Sequence, residues 1–260
     1  MTRRGLLWAF AAVAGGWLTA PTLVVIPLAF TGQQSLVFPP RSWSLRWFAN
    51  FFTDPAWFGS LLNSLQIALL AAVVATALGT AAAFGLSRSR FRGRALVGSV
   101  VVSPMLAPTV VFGVGLYAVF LELHLIGTLF GFVIAHAVLA LPFAVVPVAS
   151  ALANYDQTLQ RAAAVCGASP LRTFFQVTLP NIAPGVLAGF MFAFVVSFDE
   201  IVVSLFIASP YLQTLPVKMY TSVLRDVDPT IAAAATIIIC LTSALIGIAL
   251  LTAARRSKRA

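Results

Sequence analysis

Charge is the property that this sequence has least of. Only 9% of the 260 residues are charged, whereas 60% are hydrophobic and the mean hydropathy is +1.00. A water-soluble domain needs far more polar surface than this composition offers, so the chain is not an ordinary soluble protein. In lipid, helices satisfy their own backbone hydrogen bonds. The composition therefore predicts an all-α, polytopic membrane protein.

Acidic side chains are scarcer than basic ones. The chain has 7 acidic and 16 basic residues, a formal net charge of +9 and a pI of about 10.8. In a soluble protein that balance would suggest a nucleic-acid partner, but here no basic stripe is interleaved with aromatic residues. The basic residues lie mostly at the ends of apolar runs. We interpret them as signals of membrane topology and expect lipid, not nucleic acid, around the chain.

Residues that carry catalysis or bind metals are also few. The cysteines, Cys166 and Cys240, indicate neither a disulfide framework nor a metal site, and no His-x-x-x-His or Cys-x-x-Cys occurs. Neither lysine, Lys218 or Lys258, follows a glycine, so the glycine-rich phosphate loop of common ATPases is absent. We therefore predict no catalytic residue, no metal and no cofactor in this chain.

Six apolar runs are long enough to cross a bilayer, which takes about 20 residues each. The first extends further than the apolar region of a signal peptide, so we expect an uncleaved helix. Pro104 and Pro108 interrupt the third run and predict either a kink that lines a cavity or a packed structural kink. The predicted spans are 1–30, 61–86, 95–121, 127–152, 185–208 and 230–253.

The basic residues also predict the orientation of the spans. Six spans place both termini on one side, which carries the arginine-rich segment 88–94, Arg161, Arg172 and the basic tail. Basic loops stay in the cytoplasm. We therefore predict an inner-membrane protein with both termini and the loop at about 155–184 in the cytoplasm. The other side carries only Arg41, Arg46, Lys218 and Arg225.

An aromatic connector at 33–58 is predicted to contain a short helix at the membrane interface, where tryptophan is favoured. We favour an anchoring role for it over a substrate role. The predicted divisions are the first helix with this connector (1–58), a five-helix core (59–254) and a basic tail (255–260). The aromatic residues of the connector helix are Trp43, Trp47, Phe48, Phe51 and Phe52.

The cytoplasmic loop has an ordered pattern of helix signals. Gly167 suits a sharp turn because glycine tolerates positive φ. Ser169 and Pro170 predict a helix start, with serine as the N-cap and proline at the first helical position. Leu179 and Pro180 are predicted to end that helix. The apolar side chains near its start, Leu171, Phe174 and Phe175, indicate a surface that docks into a partner.

This pattern resembles the coupling loop of inner-membrane permease subunits of binding-protein-dependent ABC importers, where Glu-Ala-Ala precedes a glycine and an aliphatic-x-Leu-Pro. Gly167 and the segment 177–180 match, and the resemblance runs from about Asn63 to Ala249. One position departs, because the family glutamate falls on Arg161, next to Gln160. The alternative is an amphipathic loop that lies on the membrane surface.

The resemblance implies the MetI-like fold of type I ABC importer permeases and transport by alternating access. It also implies three partners: a cytosolic ATPase dimer that binds ATP and Mg²⁺, a homologous second permease subunit and a periplasmic solute-binding protein. Loop residues expected to couple to the ATPase are Arg161, Ala162, Ala163, Gly167, Ser169, Pro170, Phe174, Leu179 and Pro180.

Asp199 and Glu200 are the acids that lie well inside an apolar run. Carboxylates at that depth face a bundle interior, a partner or a water-filled cavity. On a continuous helix, adjacent residues diverge by about 100°, and Glu200 shares a face with Ser197 and Ser204. We therefore predict that Glu200 and these serines line a polar path, while Asp199 makes a fixed internal bond. The alternative is that both acids are structural.

The tract 197–204 resembles the second permease subunit of spermidine/putrescine importers, as do 214–220 and 228–233. The resemblance implies a polyamine solute, and an embedded acid suits a cation. Another small solute remains an alternative, as do a secondary carrier and an intramembrane enzyme. We interpret His136, which lies inside the fourth run, as a hydrogen-bonded interior group, with a ligand or proton-relay role as the alternative.

Overall fold

The computed structural model describes residues 3–88, 91–225 and 228–257. Arg90 of the predicted basic loop and the last three residues of the predicted tail lie outside them. Within these ranges the chain forms helices and no β-strand. The helices are α1 (Arg3–Ala29), α2 (Arg46–Thr53), α3 (Pro55–Arg88), α4 (Arg94–Val102), α5 (Thr109–Glu122), α6 (Leu129–Ala153), α7 (Thr158–Val165), α8 (Pro170–Thr173), α9 (Leu179–Phe198), α10 (Val202–Ile207), α11 (Leu215–Arg225) and α12 (Thr230–Ser257).

Several helices have the length and composition of membrane spans. Among the described residues, four qualify outright: Leu7–Ala29, Pro55–Arg88, Leu129–Ala153 and Pro170–Phe198. A bent pair of helices gives a fifth, and Thr230–Ser243 of α12 is a shorter apolar helix. The prediction of an all-α polytopic membrane protein is confirmed, while the count of six spans stays a prediction.

The third predicted span is broken rather than kinked. A 3₁₀ turn, Ser103–Met105, follows α4, and α5 then leaves at 98°. Pro108 has no N–H, and its ring disfavours helical geometry at the preceding residue, so a new helix starts at Thr109. Leu106 at the break is 81% exposed, so the side chains that the structure describes leave it largely uncovered.

The described residues fall into two compact units, and the first combines Met1–Gly59 with Lys218–Ala260. Its core joins α1 to α12, where Ala29, Ala232 and Ala233 are buried together. Four of the five aromatic residues of the predicted connector helix lie on α2, and Trp43 precedes it in an isolated bridge with Thr31. The sequence-based divisions 1–58, 59–254 and 255–260 stay a prediction.

The second unit, Ser60–Val217, is built on the close approach of α6 and α9. A Cβ added at Gly189 would lie 2.8 Å from the Ala144 carbonyl oxygen, and one at Gly185 would lie 2.5 Å from Ala151 Cβ. The Gly-x-x-x-Gly spacing of this pair is typical of close helix packing, and here only glycine lets the two helices approach so closely.

A second pair with the same spacing, Gly127 and Gly131, has a different role. Gly127 has a φ of +70° and lies in the turn before α6, so it is not part of a packed helix face. A Cβ added at Gly131 would clash with the Leu125 carbonyl oxygen of the same turn. Both glycines therefore shape the turn before α6.

Candidate functional site

The loop between α6 and α9 contains the turn predicted at Gly167. This residue has a φ of +82°. Its N–H donates to the Ala164 carbonyl at 3.0 Å, and the Ala168 N–H donates to the Ala163 carbonyl at 3.0 Å. These two bonds form a Schellman motif, which ends a helix with a left-handed residue. The predicted glycine turn is confirmed.

The helix after the turn begins as predicted. Ser169 is extended, with a ψ of 158°, and its Oγ accepts a hydrogen bond from the Arg172 N–H at 3.4 Å. Pro170 occupies the first helical position, where its missing N–H costs nothing. Serine as N-cap and proline as first helical residue are therefore both confirmed.

The predicted end of that helix at Leu179 and Pro180 is wrong. The helix passes through a π-helical turn, Phe174–Thr178, and continues as α9. A proline in a helix lacks one donor and crowds the carbonyl four residues before it. Here the Leu179 N–H donates five residues back, to the Phe174 carbonyl, and the widened turn accommodates the ring of Pro180.

A hydrogen bond that the sequence analysis missed ties α7 to this turn. Gln160 Nε2 donates to Thr178 Oγ1 at 2.5 Å, and Thr178 is fully buried. Phe174 is half-buried and packs against Phe84, with ring centroids 5.0 Å apart. Gln160 is a polar residue on a short helix, and nothing in the neighbouring sequence identifies Thr178 as its partner.

The start of α7 carries a negative charge despite the arginine at the family's glutamate position. Asp156 accepts from the Thr158 N–H at 2.8 Å and from the Thr158 hydroxyl at 2.6 Å. These bonds, with a smaller contribution from the charge of Arg161, hold the pKa of Asp156 below its ordinary value. The carboxylate therefore stays ionised near the N-terminus of α7, where negative charge is favourable.

The surface around the turn is apolar and open. Val165 is 89% exposed, Leu171 73% and Phe175 60%. A Cβ added at Gly167 would meet no described atom within 4 Å. Arg161 and Ala162 are exposed and Ala163 is half-buried. Exposed apolar side chains grouped on a polar loop are typical of a surface that binds another protein.

The second candidate site is the end of α9, where the structure differs from the expected continuous helix. The helix ends at Phe198, and α10 begins at Val202. Asp199 and Glu200 therefore lie in an interruption, and the helical-face argument does not hold for them.

The internal bond expected of Asp199 is made by Glu200 instead. Glu200 is half-buried, and its Oε1 accepts from the Val203 N–H at 2.8 Å, which caps the start of α10. Asp199 is exposed, and its carboxylate has no hydrogen-bond partner within the described part of the chain. The prediction that Asp199 makes the fixed internal bond is wrong, because the chain leaves the helix and brings Glu200 to a free N–H.

The two serines predicted to share a polar face both contact His136. His136 is fully buried, Ser197 is 3% exposed and Ser204 is fully buried. The ring Nδ1 lies 2.8 Å from Ser197 Oγ, and Nε2 lies 3.0 Å from Ser204 Oγ. The prediction of a hydrogen-bonded interior histidine is confirmed, and both ring nitrogens are occupied by these partners. Whether the serines line a path stays a prediction.

The described residues contain no group of three or more histidine, cysteine, aspartate or glutamate side chains that could hold a metal ion. The candidate sites are therefore an exposed docking surface and an interrupted helix with two carboxylates.

A family described as "Binding-protein-dependent transport system inner membrane component" matches residues 75–259. The chain belongs to this family. The resemblance predicted from the coupling loop is thereby confirmed, and the chain is a permease subunit of an ABC transport system, located in the inner membrane.

Two curated relatives cover most of the chain. The "Putrescine transport system permease protein PotI" of Escherichia coli K12 is 35% identical over 86% of this chain and 82% of its own length. The "Spermidine/putrescine transport system permease protein PotC" of Haemophilus influenzae is 30% identical over 95% of both chains. The predicted resemblance to spermidine/putrescine permeases is confirmed.

A solved structure shows the same fold. It is titled "Crystal structure of a bacterial ABC transporter involved in the import of the acidic polysaccharide alginate". Its matching chain is 13% identical, with a TM-score of 0.69 over 97% of this chain and 98% of that chain. At that identity the similarity concerns the fold alone, so it says nothing about the solute of this protein.

Proposed function

We propose that this chain is the second permease subunit of an importer that moves a polyamine, putrescine or spermidine, into the cytoplasm. The observation that carries the proposal is its near full-length similarity to permeases named for these solutes, at 35% and 30% identity. Transport is by alternating access, and a separate cytosolic ATPase dimer that binds ATP and Mg²⁺ supplies the energy. The chain itself catalyses no reaction.

The proposed ATPase contact is the exposed surface around Gly167. Leu171 and Phe175 are one helical turn apart and point apolar side chains outward. A cleft on the ATPase that accepts them would remove this apolar area from water. The orientation with both termini and this loop in the cytoplasm, predicted from the basic residues, brings the surface within reach of a cytosolic partner.

The proposed solute path passes the interruption after α9. Asp199 presents an exposed carboxylate there, and a polyamine is a flexible cation with charged amino groups. An acid in a water-filled passage lowers the electrostatic cost of bringing such a cation to membrane depth. A homologous permease subunit would supply the other half of the passage, and a periplasmic binding protein would deliver the solute.

The proposal is tested by co-expressing this chain with its cytosolic ATPase, its homologous partner permease and its periplasmic binding protein, and reconstituting the complex in vesicles. We expect ATP-dependent accumulation of radiolabelled putrescine or spermidine, inhibited by the other unlabelled polyamine. Uptake of an unrelated solute only would overturn the polyamine assignment. Uphill uptake by this chain alone, without nucleotide, would overturn the ABC mechanism in favour of a secondary carrier.

A further inference from the structure

We propose that His136 is a positioning residue for transport, which holds the interruption between α9 and α10 in a single geometry. The inference rests on the proposed function, because the role it assigns belongs to the transport cycle. His136 lies on α6, and the interruption carries the exposed Asp199 and the capping Glu200. The bridge that it makes therefore controls where both carboxylates stand.

The ring of His136 connects the two sides of the interruption. Ser197, bonded to Nδ1 at 2.8 Å, lies in the last turn of α9. Ser204, bonded to Nε2 at 3.0 Å, lies in the first turn of α10. A planar ring keeps its two nitrogens at a fixed separation, so these bonds fix the separation of the two serines as well.

Each ring nitrogen of His136 has partners on one side of the interruption. Nδ1 lies 2.8 Å from Ser197 Oγ and 3.1 Å from the Ser197 carbonyl oxygen, and Nε2 lies 3.0 Å from Ser204 Oγ. A neutral imidazole has one N–H donor and one acceptor nitrogen, and a serine hydroxyl can pair with either of them. Ser204 Oγ also donates to the Glu200 carbonyl at 2.9 Å. The ring is therefore bonded to both sides of the interruption in either tautomer.

These hydrogen bonds replace some of the backbone hydrogen bonds that are lost where the helix is interrupted. Non-helical backbone at membrane depth persists only where other groups satisfy its freed carbonyls and N–H groups. The Glu200 N–H reaches the Ser197 carbonyl at 3.4 Å, and the Glu200 carbonyl receives the Ser204 hydroxyl. The histidine secures the serine that makes the second of these bonds. Without the ring, the segment would lose the hydrogen bonds of Ser197 and Ser204 to α6.

The test compares per-copy uptake of the radiolabelled solute by reconstituted complexes that carry H136A, H136Q or the control L139A. Leu139 is a buried residue on the same helix, 5% exposed, that belongs to an apolar cluster. Glutamine keeps a donor and an acceptor on a side chain of similar length. We expect H136A to lower the maximal rate about tenfold with little change in half-saturating solute concentration, which corresponds to about 1.4 kcal/mol.

H136Q is expected to recover uptake to within about threefold of the unmodified chain, because it restores a polar bridge to the serines. L139A is expected to lower thermal stability but to leave per-copy uptake unchanged. A second measurement uses the pair H136A and S204A. If His136 and Ser204 act through one bridge, per-copy uptake by the double variant is no lower than uptake by the single variants.

Each alternative outcome overturns the inference. Unchanged uptake by H136A would show that the bridge is not needed, and an equal loss in L139A would show that only packing matters. A glutamine variant as impaired as H136A, or additive losses in the double variant, would remove the hydrogen-bonding role. Failure of the proposed function gives a different result, since the unmodified complex would then not transport the polyamine.

Discussion

The two candidate sites are both helix interruptions, but they arise in different ways. At the loop, the Schellman turn at Gly167 and the Ser169–Pro170 start follow from residues within a few positions of each other. At the end of α9, no glycine or proline lies between Phe198 and Val202. The chain leaves the helix there while bonded to a histidine on another helix. An interruption set by neighbouring residues can be predicted from sequence, whereas one held by tertiary contacts cannot.

The largest effect on uptake is expected from disrupting the turn at Gly167. G167P removes the N–H that bonds to the Ala164 carbonyl and cannot adopt a φ of +82°. We expect the chain to insert normally but to lose co-purification with the ATPase and all measurable uptake. G98A is the matched control, because a Cβ at Gly98 meets no described atom within 4 Å. Normal uptake by G167P would contradict the coupling role of the loop.

The second effect concerns the acids of the other interruption. D199N removes an exposed charge, whereas E200Q keeps an oxygen that can still accept from the Val203 N–H. We expect D199N to lower polyamine uptake about tenfold and E200Q to lower it less. A continuous helix had instead placed Glu200, with Ser197 and Ser204, along the predicted path. E200A loses both the charge and the cap, so its uptake should fall below that of E200Q.

If E200Q proved more damaging than D199N, Glu200 rather than Asp199 would be the carboxylate that the solute meets. Uptake kinetics at several solute concentrations distinguish a carboxylate that acts in the passage from one that affects only delivery by the binding protein. Loss of a charge in the passage should persist at saturating solute, whereas an effect confined to delivery by the binding protein should disappear there.

The third effect concerns the docking surface. L171E places a charge where an exposed leucine, 73% accessible, is proposed to enter the ATPase. The minority of interface residues that carry most of the binding energy cost more than about 1 kcal/mol each when they are altered, so we expect roughly tenfold weaker association with the ATPase. Y211A is the control, because Tyr211 is 96% exposed and lies far along the chain from the loop. Equal ATPase association in L171E and the unmodified chain would place the contact elsewhere.

The smallest effect is expected from removing the hydrogen bond between Gln160 of α7 and Thr178, and it concerns stability. Q160A leaves the buried Thr178 hydroxyl without its 2.5 Å partner. An unmade hydrogen bond of this kind costs about 1–2 kcal/mol, so we expect a thermal midpoint lower by a few degrees in detergent. The double variant Q160A/T178V removes both polar groups and should recover part of the loss. A midpoint unchanged in Q160A would mean that the bond contributes nothing to loop stability.

Features set by neighbouring residues were predicted correctly from the sequence, whereas features set by contacts between distant residues were not. Ser169 and Gly167 were predicted correctly because an N-cap and a left-handed turn depend on neighbouring residues. Pro180 was predicted to end a helix, since the usual consequence of proline is local. The π-helical turn before it depends on packing, such as that of Phe174 on Phe84, and has no comparable sequence signal.

Composition and the length of the apolar runs by themselves determined that this is a helical membrane protein, and the resemblance of its loop motif indicated the binding-protein-dependent permease family. They did so because lipid tolerates few charges and because turns and caps are set by adjacent residues. Only the tertiary structure decided which acid is bonded and which is exposed, since His136, Ser197 and Ser204 meet from three helices. Hydrogen bonds between residues more than 60 positions apart leave no local pattern in a single sequence.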